Sequence, residues 1–171
     1  MTRDLPFDMT GPSSETLIEA CEHLSARDAA LARAFADYGV PAWRTAEPAY
    51  ATIARMIAFQ QITTKAARTI WDRVEAQLGT VCTEAVLGED EDALRACGLS
   101  RPKIRHLRSI AEAVETGALD LERVHAAEMD EARAELVAVK GIGPWTADLF
   151  LMAYGRLDAF PAGDVGLMEA Y

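Results

Sequence analysis

The sequence is poor in cysteine, in aromatic residues and in basic residues, and it contains no long apolar run. Three cysteines, Cys21, Cys82 and Cys97, cannot supply the four thiolates of an iron–sulfur cluster. Their odd number and apolar, helical contexts predict buried free thiols rather than disulfides or a metal site. Apolar runs such as Leu149–Tyr154 fall far short of the ~20 residues that span a bilayer, so no membrane partner is expected. The opening stretch, MTRDLPFDMTGPSSE, lacks the apolar core of a secretory signal, which makes the cytoplasm the expected location. Seventeen Lys and Arg against 27 Asp and Glu leave a net charge of −10, an average that argues against a nucleic-acid partner. Alternating strand patterns and repeats of solenoid length are also missing.

What is present is helix-forming. With 50% hydrophobic residues in 171, the chain suits one globular domain. A helix is predicted from Ser14, with Leu17, Ile18, Cys21 and Leu24 on one face; it runs towards Tyr38 unless Ser25-Ala-Arg-Asp breaks it. Further helices are predicted from about Glu47 to Gln60, from Thr63 or Thr64 to Leu78, from Asp90 to Cys97, from Arg101 to Gly117 and from Asp130 to Val139. A last one runs from Pro144 to Tyr154. The fold class is all-α.

Charge is unevenly spread. Acidic residues concentrate in Glu89–Asp92 and between Glu112 and Glu135, whereas Arg101, Lys103, Arg105 and Arg108 cluster at one helix start. That cluster reads either as a solvated helix face or as a local basic footprint. Between two predicted helices lies Val139-Lys-Gly-Ile-Gly-Pro-Trp-Thr-Ala147. So tight a reversal needs the positive φ that glycine allows, and missing side chains let another molecule approach the backbone. The helix begun by Pro144 would point free N–H groups and a positive dipole end outward, an anion site built from backbone. An ordinary Gly-capped hairpin is the competing reading.

Three blocks, "YATIARMIAFQQITTKAARTIWDRV", "GLSRPKIRHLRSIAEAVETGALDL" and "LVAVKGIGPWTADLFLMAYGRLDAFPAGDVGL", resemble the helix–hairpin–helix DNA glycosylases, specifically the 3-methyladenine DNA glycosylase II branch, over Pro48 to Tyr171. The resemblance implies one domain over residues 1–171, two-lobed, with its hairpin at 136–147 and a DNA-binding cleft between the lobes. It implies a monomer that acts on double-stranded DNA carrying damaged bases, at the nucleoid in a bacterium. The activity implied is hydrolysis of the N-glycosidic bond of alkylated bases such as 3-methyladenine in base excision repair. Lys140, Gly141, Ile142, Gly143 and Thr146 would then bind DNA phosphate. No organic cofactor or metal centre is implied beyond a monovalent cation held by hairpin backbone carbonyls. Family members continue with further helices, so the resemblance also implies that C-terminal helices bordering the pocket are missing here.

By the same resemblance Asp164 is the catalytic carboxylate, because cleavage passes through an oxocarbenium-like sugar that a carboxylate stabilises. Without the resemblance Asp164 reads as a helix N-cap, and Asp148 and Asp158 are its rivals. Many relatives carry an acidic pair where this sequence has Gly163-Asp164. Lyase branches of the family place a lysine two residues after the second hairpin glycine; here that residue is Trp145, so no Schiff base forms there. Trp145 reads as a stacking surface for the damaged base, or as core. Gln61, in Gln60-Gln61-Ile62-Thr63, would fill the gap left by the extruded nucleotide; the alternative is a helix-end residue. A non-catalytic DNA-binding module and a small helical interaction protein are the competing functions.

Overall fold

The computed structural model of the chain describes residues 12–43 and 49–170. These form eleven helices: α1 (Ser14–Ser25), α2 (Ala29–Tyr38), α3 (Tyr50–Phe59), α4 (Thr64–Leu78), α5 (Thr83–Gly88), α6 (Glu91–Ala96), α7 (Arg101–Glu115), α8 (Leu121–Ala126), α9 (Met129–Ala138), α10 (Pro144–Ala153) and α11 (Val165–Ala170). The class is all-α, as expected, and no strand occurs among the described residues.

The first predicted helix breaks where Ser25-Ala-Arg-Asp suggested. Asp28 accepts the N–H groups of Ala30 (2.7 Å) and Leu31 (3.1 Å), and this cap starts α2 rather than continuing α1. The helix expected from Glu47 is seen from Tyr50; Glu47 itself lies outside the described residues. Two short helices, α5 and α8, had no expectation, because six residues give too few turns for a periodic stripe; α11 is the helix that an N-cap at Asp164 implies. Cys97 is buried, whereas Cys21 and Cys82 are only half-buried; all three are free thiols.

Helix α3 is central. Its Ile53, Ala54, Ile57 and Ala58 are fully buried, and it touches α4, α7 and α10. On one side α4 to α7 gather round it, with α7 turning Ile104, Leu107, Ile110 and Ala111 inward. On the other side α8, α9 and α10 form a second group, and α10 leans on α3 through Phe150 and its neighbours. The seam between the groups is where α3 meets α10. Arg156 pins the far end of the second group, donating to the carbonyls of His125 (3.1 Å) and Ala127 (2.8 Å) and to both oxygens of Asp158.

The hairpin of α1 and α2 is different. Neither helix contains a buried residue, and their main contacts are with each other. Stability should therefore reside in the core around α3, α7 and α10. Phe150→Ala, which removes a fully buried ring stacked edge-on at 4.2 Å against Tyr154, is expected to cost about 3–5 kcal/mol in urea unfolding. Leu24→Ala, at a side chain 49% exposed, is expected to cost less than about 1 kcal/mol. Equal losses would show that the α1–α2 hairpin shares the cooperative core.

Candidate functional site

The turn between α9 and α10 is held from below by Ile142, which is 4% exposed and packs into the core, while its N–H donates to the carbonyl of Val139 (3.1 Å). The two glycines behave differently. Gly141 has φ +106°, and a Cβ there would lie 2.6 Å from Cβ of His106 and 3.1 Å from its Cα. Gly143 has φ −89° and ψ 169°, an extended geometry open to any residue, and nothing lies within 4 Å of where its Cβ would be. The expectation that the reversal needs positive φ thus applies to Gly141 alone; Gly143 leaves open space above the helix start.

Helix α10 begins at Pro144 with no side-chain cap, and the carbonyl of Gly143 takes the first helical bond from the N–H of Ala147 (2.9 Å). The N–H groups of Gly141, Gly143, Trp145 and Thr146 meet no acceptor among the described residues. Lys140 is exposed beside them. The Thr146 side chain is turned inward, 4% exposed, and accepts from Nε2 of Gln60 (2.8 Å). Towards an anion it would offer only its backbone N–H. The carbonyls of Lys140, Gly141 and Ile142 accept no hydrogen bond among the described residues. No group of three or more His, Cys, Asp or Glu suited to a metal occurs there.

Asp164 lies just ahead of α11. Its Oδ1 accepts the N–H of Leu167 (3.2 Å), as an N-cap would, and its Oδ2 accepts Nε1 of Trp145 (3.1 Å). Trp145 and Asp164, 19 residues apart, are thereby joined. The rivals are committed elsewhere. Asp148 accepts Nε and Nη2 of Arg133 at 2.8 and 2.7 Å, and Asp158 is gripped through both oxygens by Arg156 at 3.1 Å. The Arg156 hydrogen bonds hold the Asp158 carboxyl below its ordinary pKa. Asp164 alone of the three has only neutral donors and no cation beside it among the described residues.

A pocket of about 360 Å³ opens at the seam, lined by Thr52, Arg55, Met56, Phe59 and Gln60 from α3 and its end, and by Trp145 and Leu149 from α10. Trp145 thus faces both the pocket and Asp164. The sequence reading missed Phe59, Met56 and Leu149 as pocket walls. The signal existed: Thr52, Met56 and Phe59 recur at helical spacing on a stripe of α3 beside the one that carries Ile53 and Ile57.

Half of the basic cluster, Lys103 and Arg108, is spent on backbone carbonyls within the protein. Nζ of Lys103 donates to the carbonyls of Ala58 (2.8 Å) and Gln60 (2.7 Å), Arg108 donates to the carbonyl of Glu89, and Arg101 pairs with Glu91 at 3.5 Å. Only Arg105 is exposed without a described partner. Neither reading of the cluster, solvated face or basic footprint, fits Lys103 or Arg108. Gln61 protrudes between α3 and α4, exposed, with φ +58°.

Residues 54–171 match the model of the HhH-GPD superfamily, described as a base excision DNA repair protein. DNA-3-methyladenine glycosylase 1 of Schizosaccharomyces pombe is 35% identical over 127 residues, covering 71% of this chain and 56% of that protein. Among solved structures, the DNA-3-methyladenine glycosidase of Bacillus halodurans superposes with a TM-score of 0.74 at 34% identity, covering 95% of this chain and 73% of that one. The Schizosaccharomyces pombe 3-methyladenine DNA glycosylase, solved in complex with abasic DNA, gives 0.75 at 31% identity, covering 87% and 76%. This chain spans 56% of the length of the first of these relatives.

The hairpin geometry separates its two glycines experimentally. Gly141→Ala drives a Cβ into His106 in a backbone region L-residues avoid, and should cost about 2–4 kcal/mol of stability. Gly143→Ala meets nothing and should stay within about 1 kcal/mol of the parent protein. Denaturant unfolding of both variants checks this; a Gly143→Ala loss equal to that of Gly141→Ala would refute the assignment of the strained position.

Proposed function

The chain belongs to the HhH-GPD superfamily of base excision DNA repair proteins, and from that premise we propose that it is a monofunctional DNA glycosylase hydrolysing the N-glycosidic bond of alkylated bases such as 3-methyladenine. The observation that carries the proposal is the bond from the Trp145 indole to the Asp164 carboxylate, which sets an ionisable group with no cationic partner beside an aromatic pocket. The names of the relatives support the substrate class, and the relative solved with abasic DNA supports a duplex partner.

Each step has a residue to perform it. The backbone N–H groups of Gly141, Gly143 and the first turn of α10 bind a phosphate of the duplex, aided by Lys140 and, if bound, by a monovalent cation on the carbonyls behind them. The damaged base leaves the stack and enters the pocket, lying against Trp145, where a methylated cationic base gains roughly 0.5–2 kcal/mol from the aromatic face; the Phe59 ring is covered by the Arg55 guanidinium, 5.1 Å from its centroid. Gln61 fills the gap. As the glycosidic bond lengthens, positive charge grows on the sugar and the Asp164 carboxylate stabilises it. Position 145 holds an indole, so water rather than an amine takes up the sugar, leaving an intact abasic site.

The test is base release from duplexes carrying 3-methyladenine, 7-methylguanine, 1-methyladenine or hypoxanthine, under single-turnover conditions. Asp164→Asn should keep lesion-duplex binding and lose about 10²-fold or more in release, while Asp158→Asn stays near the parent rate. Borohydride should trap no protein–DNA adduct. Salt-sensitive duplex binding without release of any base would make this a DNA-binding module, and an Asp164→Asn protein as active as the parent would remove Asp164 from the chemistry.

A further inference from the structure

The turn after α3 is fixed from two directions. The last carbonyls of a helix have no partner within it, and here two of the groups at the α3 terminus are taken by one side chain from α7: Lys103 Nζ donates to Ala58 O (2.8 Å) and to Gln60 O (2.7 Å). The side chain of Gln60 is held from the opposite quarter, its Nε2 donating to Thr146 Oγ1 (2.8 Å) on α10. Two residues past Gln61, Thr63 caps α4 by accepting the N–H of Ala66 (3.3 Å). Between these anchors the chain must turn within Gln61 and Ile62. Gln61 takes φ +58°, and among the described residues it is the one non-glycine in the left-handed region. Such a conformation persists only where the surroundings over-determine it.

An ammonium is an expensive way to make that anchor. Lys103 is half-buried, burial pushes its pKa below the usual lysine range, and no carboxylate pairs with it among the described residues. Its charge has no described use except the two carbonyls. An apolar side chain of similar length would leave the carbonyls of Ala58 and Gln60 without this donor, so the ammonium is what ties the end of α3 and the start of the turn to α7.

We propose that Lys103 is a positioning residue that holds the Gln60–Gln61 turn in its strained, protruding form, so that Gln61 is ready to enter the space an extruded nucleotide leaves. This rests on the glycosylase reading above and adds to it a device for extrusion, distinct from the chemistry at Asp164. Lys103 touches neither base nor sugar; it acts through Gln61.

The experiment compares base release from hypoxanthine opposite thymine with release from hypoxanthine opposite a tetrahydrofuran abasic spacer, where no pairing partner has to be left behind. The readout is the ratio of the two rates within one preparation, which does not depend on the fraction of folded protein. Lys103→Met should lower that ratio about tenfold. Lys103→Arg, which keeps charge and donors, should restore most of it. In a Gln61→Ala background, Lys103→Met should change the ratio less than about twofold, because the residue it acts through is gone. Equal loss on both substrates would reduce Lys103 to a structural role, and a full tenfold effect in the Gln61→Ala background would overturn the route through Gln61. If the parent protein releases neither hypoxanthine here nor 3-methyladenine from a duplex, the glycosylase reading fails and this inference falls with it; if it releases 3-methyladenine alone, the same pair of rates is read with that lesion. A parent protein active on both, with a ratio unmoved by Lys103→Met, overturns this inference alone.

Discussion

The hydrogen bond from the Trp145 indole to the Asp164 carboxylate is the contact on which the candidate site depends. It ties the first turn of α10 to the residue that starts α11, and with it the hairpin to the carboxylate. Without it, Asp164 would sit on a loop with a single backbone donor, free to swing away from the pocket. A neutral N–H holds the carboxylate in place and leaves its charge uncompensated, whereas the arginines on Asp148 and Asp158 cancel theirs. That difference is what supports the proposal of Asp164, rather than Asp148 or Asp158, as the carboxylate facing a developing positive charge.

The proposed anion site, made of backbone, would also reconcile a net charge of −10 with a DNA partner. The N–H groups at the start of α10 carry the positive end of the helix without any lysine or arginine, and the open space over Gly143 leaves room for a phosphate in that proposal. The basic cluster that first suggested a footprint serves instead to fasten α7 to the end of α3 and to the loop before α6.

Much of this was legible in the sequence. The helical class followed from spacing, and the boundaries of α4, α7, α9 and α10 fell within a residue or two of the glycines, prolines and Thr63 that mark them. The break before α2 was readable because Asp28 is a strong cap. The short α5 and α8 were not, since their burial is decided by tertiary neighbours rather than by periodicity. At the site, the hairpin and the Asp164 position were carried by pattern. What pattern could not show was division of labour: that Gly141 is strained while Gly143 is merely open, that Thr146 turns inward to Gln60, and that Lys103 is a clamp. Each of these depends on a residue between 35 and 86 positions away. The pocket wall of α3 was present as spacing but was overlooked because the buried face of the same helix gives the stronger signal.

The central claim is that the indole N–H, beyond the aromatic surface, keeps Asp164 in working position. Trp145→Phe separates the two, because the ring remains for stacking while the donor is lost. The measurement is the single-turnover rate of hypoxanthine release, alongside affinity for the same lesion duplex. The expected result is a rate lowered by about tenfold or more with affinity within about threefold of the parent protein. A Trp145→Phe protein that releases hypoxanthine at the parent rate would contradict the account.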